Sequence, residues 1–161
     1  MRTSAAAAGS SLFFVLAPGV VAGLVPWWLT GWRFEPFWPA LRALGVMLVL
    51  AGAAVIVPAF VRFVREGRGT PAPAAPPTRL VVGGFYKYVR NPMYVAVVLA
   101  VAGQALLFGQ LGLLGYAALV ALVTWLFVRF YEEPALRRTF GEEYDDYRRA
   151  VPGWIPRLRR E

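Results

Sequence analysis

Residues 92–130 decide the fold class, because the stretch PMYVAVVLAVAGQALLFGQLGLLGYAALVALVTWLFVRF contains no charged residue before Arg129. A glycine-rich turn divides it into two apolar segments, Pro92 to Phe108 and Leu111 to Phe130. Each segment approaches the ~20 apolar residues that cross a hydrocarbon core of ~30 Å. We therefore predict a tight helical hairpin in a membrane. The glycines expected to let its two backbones approach closely are Gly103, Gly109, Gly112 and Gly115.

Two further apolar segments precede the hairpin. One extends from about Ser10 to Leu29 and contains no charge, and the other extends from about Pro39 to Phe63. The first is longer than the apolar part of a usual signal peptide, so a retained helix is expected. With 161 residues, 58% of them hydrophobic and only 16% charged, the chain is too apolar for an ordinary soluble domain. The prediction is an all-α, polytopic membrane bundle of about four transmembrane helices.

The cations are distributed unevenly among the connecting segments. Only Arg33 and Arg42 lie near the loop between the first two spans, and the hairpin turn has none. The positive-inside rule then predicts that both termini and the middle segment are cytoplasmic. The net charge of +8 is attributed to anchoring at an anionic leaflet rather than to nucleic-acid binding. An outer aromatic belt is expected from Trp27, Trp28, Trp32, Phe34, Phe37 and Trp38.

Three regions follow from this reading. Residues 1–65 hold the first two spans, residues 66–77 form a Pro/Gly-rich cytoplasmic linker, and residues 78–161 hold the other two spans and the tail. Asn91 is expected to cap the third helix, with Pro92 in its first turn. Residues 135–150 show helical spacing of apolar side chains and predict a C-terminal cytoplasmic amphipathic helix.

The amino-acid composition excludes several kinds of catalytic and metal-binding site. The chain has no cysteine and no histidine. Disulfides, thiolate nucleophiles, zinc chemistry and a Ser-His-Asp triad are therefore not expected, and no metal site is predicted. Any catalysis must use Arg, Lys, Glu, Asp, Tyr, Asn and backbone groups.

Glu132 and Glu133 stand at the end of the fourth span. Two carboxylates at a membrane boundary are costly unless they are solvated or paired. A helix that simply leaves the bilayer would explain them, and so would binding of a ribose diol or an ammonium group. Adjacent helix positions point about 100° apart, so only one of the two is expected to face a pocket.

A second group of polar residues lies before the third span. A membrane-anchoring Arg90, a capping Asn91 and an interfacial Tyr94 would each be ordinary. The adjacent Gly83 and Gly84 are less well explained in this way, because glycines let the backbone approach a ligand closely. The helix N-terminus that follows also offers free N–H groups to an anion.

Together these two groups resemble a known family. Residues 83–94, GGFYKYVRNPMY, resemble the signature G-x-Y-x-x-x-R-[HN]-P-x-Y of the isoprenylcysteine carboxyl methyltransferase and phospholipid methyltransferase-like membrane enzymes. Residues 132–152 resemble the second block, E-E-x-x-L-x-x-x-F-G-x-x-Y-x-x-Y-x-x-x-V-P. The resemblance extends from about Pro76 to Pro156. Where the eukaryotic carboxyl methyltransferases have histidine, this chain has Asn91, which cannot change charge near neutral pH.

The resemblance implies a methyltransferase that uses S-adenosylmethionine in a cytoplasm-facing pocket between the two blocks. The Gly83-Gly84 backbone would approach the cofactor, and Arg90 or the helix N-terminus would bind its carboxylate. The implied catalytic residues are Arg90, Asn91 and Tyr94. The implied cofactor-binding residues are Gly83, Gly84, Tyr86, Arg90, Tyr94, Glu132 and Glu133. Arg129 and Arg157 are suggested to orient an acidic substrate.

The acceptor is left open. Candidates are an isoprenylcysteine-type carboxylate or another lipophilic acid, a phospholipid amine, and a small hydrophobic thiol or phenol. The excess of cytoplasmic arginine slightly favours the acid, and a carboxylate needs no general base. The acceptor is expected to enter from the lipid. A membrane scaffold or lipid-binding protein without catalytic activity is the alternative from a different class.

Overall fold

A computed structural model of the chain describes residue 12, residues 16–67 and residues 78–158, without the side chains of residues 63, 64, 66 and 67. Part of the first predicted span and most of the predicted linker lie outside the described residues. The helices are α1 (Leu16–Thr30), α2 (Pro39–Gly67), α3 (Pro92–Phe108), α4 (Gly112–Phe127), α5 (Glu133–Phe140) and α6 (Glu142–Ala150). A 3₁₀ turn at Gly84–Lys87 precedes α3, and π-helical turns occur at Val20–Leu24 and Val128–Glu132.

The part of the chain that the structure describes is helical and contains no β-strand, as predicted. Two helices have the length and composition to cross a membrane, Pro39–Arg62 and Gly112–Phe140. Only 17% and 22% of their most apolar windows are buried inside the protein, whereas a core helix of a soluble protein would be mostly buried. Two shorter apolar helices, Leu16–Thr30 and Pro92–Phe108, pack beside them.

Helix α3 packs most closely against α2. A Cβ atom added to Gly103 would lie 2.7 Å from the Gly45 carbonyl oxygen and 2.8 Å from the Val49 nitrogen. A Cβ atom on Gly52 of α2 would lie 2.8 Å from the Ala96 carbonyl oxygen. Small residues at these crossings therefore bring the backbones of α2 and α3 into contact.

This packing corrects the predicted role of the hairpin glycines. Gly103 faces α2 rather than α4, and added Cβ atoms on Gly112 and Gly115 would meet nothing within 4 Å. Gly109 ends α3 in the left-handed conformation, with φ 67°, and approaches Phe37. The prediction of glycine-mediated contact between α3 and α4 was wrong, because counting glycines in one segment cannot show which neighbouring helix they face.

Polar side chains connect α1 and the loop after it to the hairpin. The Tyr116 hydroxyl donates to the Val21 carbonyl at 2.7 Å, and the Gln104 amide donates to the Ala22 carbonyl. Gln104 in turn accepts a bond of 3.1 Å from the Trp32 indole N–H. Such bonds fix α1 because hydrocarbon offers the same groups no other partner.

The predicted tail helix over residues 135–150 was wrong in its extent. Its first part, α5, continues α4 through the π turn, so one helix extends from Gly112 to Phe140. The chain then bends at Gly141, whose φ of 56° and ψ of −126° suit glycine alone. Helix α6 follows as a separate, strongly charged helix, and its Tyr147 hydroxyl donates to the Tyr86 carbonyl at 2.7 Å.

A segment after α6 holds the beginning of α3. The main-chain nitrogens of Arg90 and Asn91 donate to the carbonyls of Pro152 and Gly153, at 2.9 and 3.2 Å. Further along, the Arg157 nitrogen donates to the Tyr88 carbonyl at 3.0 Å. We call residues 151–157 the C-terminal strap, because they bind the segment that leads into α3.

Candidate functional site

Glu132 and Glu133 lie at the boundary between the π turn and α5. Both π turns in the described part of the chain end shortly before a proline, Pro26 in α1 and Pro134 here. Proline cannot donate a backbone hydrogen bond, and a π turn accommodates the altered ladder. The turn directs the Glu132 carboxylate toward Tyr94 and the Glu133 carboxylate toward Arg90.

Tyr94 and Glu132 form a polar pair between α3 and the end of α4. The Tyr94 hydroxyl donates to Oε2 of Glu132 at 2.9 Å, and both side chains are half-buried. A carboxylate has about four acceptor positions, so one phenol leaves it able to bind further hydroxyl or ammonium groups. The Tyr94–Glu132 pair is thus a candidate contact for a polar ligand.

Arg90 and Glu133 form a second, more deeply buried network. Nη1 of Arg90 lies 2.6 Å from Oε1 of Glu133, and the two side chains are 13% and 10% exposed. The same nitrogen donates to the Tyr144 hydroxyl at 3.1 Å, and Nε donates to the Val151 carbonyl at 3.0 Å. Arg90 therefore connects the start of α3 with α5, α6 and the strap.

The environment of Tyr144 keeps its hydroxyl protonated. Burial raises the pKa of Tyr144, the charge of Glu133 raises it further, and Arg90 opposes both effects. The neutral phenol accepts the Arg90 hydrogen bond. Its place in the network is structural, since Tyr144 is 2% exposed.

Asn91 binds the strap instead of capping α3. It occupies the N-cap position, but its side chain makes no capping hydrogen bond. Its Nδ2 donates instead to the Gly153 carbonyl at 3.0 Å. The next residue of the strap, Trp154, lies over Tyr94 with 6.4 Å between the ring centroids. The strap therefore covers one side of the Tyr94–Glu132 pair.

An apolar cavity of about 360 Å³ adjoins the Tyr94 ring. Residues of α1, α2, α3 and α4 line it, so it lies within the helical bundle. Its two hydroxyls besides that of Tyr94 already have partners: Tyr116 donates to Val21 and Thr124 donates to Val120. The main apolar lining residues are Pro18, Ile56, Phe60, Met93, Val97 and Leu119.

The glycine pair and Tyr86 lie on the side of this site that faces α2. Gly84 has φ 58°, and an added Cβ atom would lie 2.6 Å from Nε of Arg62, so the Arg62 side chain covers it. Tyr86 is 5% exposed and packs with Ala59 and Val81. Burial raises the pKa of Tyr86, and the charge of Glu132 adds to the effect. Tyr86 thus lies near Glu132 as a neutral phenol.

Arg129 and Arg157, the suggested substrate residues, lie apart from the cavity lining. Arg129 is exposed and borders a polar pocket beside Glu133. Arg157 is also exposed, and its backbone is held by Tyr88. Neither residue is among those that line the apolar cavity.

Several neighbours of the site were not singled out from the sequence. Trp154 covers Tyr94, Arg62 covers Gly84, and Tyr144 completes the Arg90 network. No local spacing marks Trp154 or Arg62, because each reaches the site only through tertiary packing. Tyr144 was recognised as part of an apolar helix face, and its burial agrees with that.

The chain is similar to a known family and to several known proteins. Residues 40–143 match the phospholipid methyltransferase family. The chain is 39% identical over 80 residues to protein-S-isoprenylcysteine O-methyltransferase of Schizosaccharomyces pombe, an alignment that covers 48% of this chain and 33% of that protein. It is 37% identical over 84 residues to methanethiol S-methyltransferase of Crocosphaera subtropica, with 50% and 30% covered.

A third relative is named for metal resistance and not for methyl transfer. A nickel-cobalt-cadmium resistance protein of Alcaligenes xylosoxydans is 33% identical over 81 residues, with 50% of this chain and 38% of that protein covered. The aligned region is thus about a third of the length of each of these relatives.

Proposed function

Because the chain belongs to the phospholipid methyltransferase family, we propose that it is an integral membrane enzyme that transfers a methyl group from S-adenosylmethionine to a lipophilic acceptor. One observation carries the proposal beyond the family. Tyr94 is shared by the polar pair with Glu132 and by the wall of the apolar cavity. A polar cofactor and an apolar acceptor can therefore meet at one side chain.

The cavity favours an acceptor with an apolar chain. Its volume of about 360 Å³ falls in the range of small-ligand sites. Since the Tyr116 and Thr124 hydroxyls are engaged with backbone carbonyls, the wall offers apolar contact almost throughout. We propose that the cavity holds the hydrocarbon part of an isoprenylcysteine-type or other lipophilic acid. A phospholipid amine and a small hydrophobic thiol or phenol are the alternative acceptors.

The residues around Glu132 fit S-adenosylmethionine. The cofactor supplies an electrophilic methyl group on a sulfonium when it is bound. The Glu132 carboxylate, with acceptor positions left beside the Tyr94 hydroxyl, would bind ribose hydroxyls or the ammonium group. The Tyr94 ring would face the sulfonium, since aromatic faces attract cations.

Arg90, Asn91 and Glu133 are proposed to position the site. Three donations from Arg90 are taken by Glu133, Tyr144 and the Val151 carbonyl, and its Nη2 lies beside Gly153 of the strap. We propose that a ligand carboxylate binds at this end of α3, where Arg90 supplies positive charge. Asn91 holds the strap that carries Trp154 over Tyr94. Methyl transfer is an in-line displacement that mainly requires correct placement of donor and acceptor. A carboxylate acceptor would need no base from the chain.

We propose a topology of four spans with both termini in the cytoplasm. Two helices satisfy the length requirement, and α1 and α3 are shorter apolar helices packed against them. The arginines concentrate in residues 62–90 and after residue 128, on the side of Glu132. By the positive-inside rule, this distribution supports a cytoplasmic position for the proposed cofactor site.

The first test is cofactor binding by the protein purified in detergent. S-adenosylmethionine and S-adenosylhomocysteine are expected to raise the Tm, because ligands that bind only the folded state stabilise it. Absence of any shift with both compounds would favour the scaffold alternative. Labelled methyl transfer to a prenylcysteine, a phospholipid amine and an alkyl thiol then identifies the acceptor class.

The second test addresses Glu132. Glu132→Gln is expected to weaken cofactor binding roughly tenfold or more, because a charge-assisted hydrogen bond is lost. Glu143→Gln changes the charge equally at an exposed position of α6 and serves as the matched control. Full cofactor affinity in Glu132→Gln would show that the site is assigned to the wrong residues.

A further inference from the structure

A second pocket lies on the far side of Glu133 from Arg90. It has a volume of about 360 Å³, and its polar lining consists of Arg129, Arg137, Arg138, Arg148, Glu133 and Tyr144. We call it the arginine pocket. It shares no lining residue with the apolar cavity, so its ligand has to be sought separately.

Positive charge is in excess in the arginine pocket. The Glu133 carboxylate is bound by Arg90 at 2.6 Å, and its other oxygen lies 3.7 Å from Nη2 of Arg148. Arg137 is paired with Asp145 at 2.7 Å. Arg129 and Arg138 have no carboxylate partner among the residues that the structure describes. The pocket therefore has uncompensated guanidinium groups, which favour an anion.

The local fold brings these cations together. Arg129, Glu133 and Arg137 are spaced four residues apart along the π turn and α5, on adjacent turns of one helix. The bend at Gly141 turns α6 back, so that Arg148 closes the pocket from the opposite side. Guanidinium groups on several sides of one space are suited to phosphate, because each offers planar, paired N–H donors.

The position of the arginine pocket along its helix indicates that a bound phosphate would come from a lipid headgroup. Exposed aromatic side chains lie on both sides of Arg129 on the same helix, with Trp125 44%, Phe130 70% and Tyr131 48% exposed. Aromatic rings of this kind lie at the headgroup level of a bilayer. Arg129 stands among them, at the end of the apolar helix. The pocket is thus at the height of lipid phosphates.

We propose that the arginine pocket binds the phosphate of an anionic phospholipid at the cytoplasmic interface. The lipid would fasten α6 to the end of α4, beside the Arg90–Glu133 network. This inference does not depend on methyl transfer.

The test uses the full chain in a non-ionic detergent at an ionic strength of about 0.15 M, where exposed charges are screened beyond roughly 8 Å. Short-chain phosphatidylglycerol is the probe, and diacylglycerol with the same chains lacks only the phosphate headgroup. Phosphatidylglycerol is expected to raise the Tm more than the matched diacylglycerol does. An equal shift with diacylglycerol would overturn the proposal.

Variants locate the binding to the pocket. The double substitution Arg129→Gln with Arg138→Gln is expected to weaken phosphatidylglycerol binding roughly tenfold or more. Arg149→Gln is the control, because Arg149 pairs with Asp146 outside the pocket and is 74% exposed. Unchanged lipid affinity in the double variant, or an equal loss in the control, would contradict the assignment.

Two further measurements keep the test independent of the variants' folding. Inorganic phosphate at the same concentration as the lipid is expected to produce a smaller Tm shift, and an equal shift would refute the lipid as the source. Native mass spectrometry of the wild-type chain is expected to show retained phosphatidylglycerol in preference to diacylglycerol. Equal retention of the two would also refute the proposal.

Discussion

Consecutive carboxylates at Glu132 and Glu133 belong to different networks. Glu132 accepts a hydrogen bond from Tyr94 near the apolar cavity, and Glu133 forms the ion pair with Arg90. The sequence predicted that one of the two faces a pocket but left open which one. The π turn sets the direction of each side chain, and nothing in the two identical residue types distinguishes them.

Replacing Tyr94 tests the polar pair. Tyr94→Phe keeps the ring beside the cavity but removes the hydroxyl that Glu132 accepts. Loss of a partner for a half-buried polar group costs about 1–3 kcal/mol, so the Tm in detergent should fall. Tyr131→Phe is the control, because Tyr131 is exposed and its ring stacks on Phe127 without a hydroxyl bond among the described contacts. An equal Tm for both variants would show that the Tyr94–Glu132 bond contributes no stability.

Replacing Glu133 tests the buried ion pair. Glu133→Gln leaves the Arg90 guanidinium without its counter-charge, and removal of one partner of a buried pair costs about 3–5 kcal/mol. Asp145→Asn breaks the exposed pair with Arg137 and should cost about 1 kcal/mol or less. Thermal unfolding of both variants measures the difference. Similar losses in the two would show that burial does not strengthen the Arg90–Glu133 pair.

At the level of elements, the contact between α2 and α3 is the tightest in the bundle. Gly45, Gly52 and Gly103 remove side chains where the two backbones cross. The segments themselves were predictable, since α3 begins at Pro92 and ends at Phe108 as expected, and α2 begins at Pro39. Apolar length and flanking glycine or proline determine such boundaries. The partner of each helix face was not predictable.

Two glycine substitutions separate packing from helix propensity. Gly103→Ala places a methyl group 2.7 Å from the Gly45 carbonyl oxygen and should lower stability by about 1–3 kcal/mol, because backbone atoms must move. The methyl group added by Gly115→Ala points into open space. This substitution should therefore be neutral or stabilise the protein by up to about 1 kcal/mol, because alanine favours a helix more than glycine does. The Tm values of the two purified variants measure these changes in stability. If Gly103→Ala were tolerated and Gly115→Ala were destabilising, the result would contradict the α2–α3 contact and support the contact between α3 and α4 that the sequence predicted.

At the scale of the whole molecule, the exposed apolar surface of the helices is the main feature. The described helices present apolar side chains outward, and the most apolar windows of the two longest are only 17% and 22% buried. Family membership and this exposed apolar surface agree on a membrane protein. The proposed direction of each span follows from the distribution of arginines between the connecting segments.

Single cysteines test the proposed topology, since the chain has no cysteine of its own. Glu35→Cys lies in the exposed loop between α1 and α2, and Glu143→Cys lies on α6. With both termini in the cytoplasm, a membrane-impermeant maleimide should label the first variant in intact cells and the second only after permeabilisation. The reverse pattern would show the opposite orientation.

The sequence by itself determined the helical class, the apolar segments and the two polar blocks. Apolar length and charge placement are one-dimensional properties, and the motif residues are recognisable by type and spacing. The residue types and spacing of the two motifs also predicted Tyr94 and Glu132 as site residues, although 38 positions separate them in the chain.

Only the tertiary structure decided how these residues meet. It placed Gly103 of α3 against α2, broke the tail at Gly141, turned Asn91 to the strap and brought Trp154 over Tyr94. It also separated the apolar cavity from the arginine pocket. The physical reason is that a side chain's direction depends on helix phase, π turns and the packing of neighbouring helices. Those relations arise only when the elements are assembled.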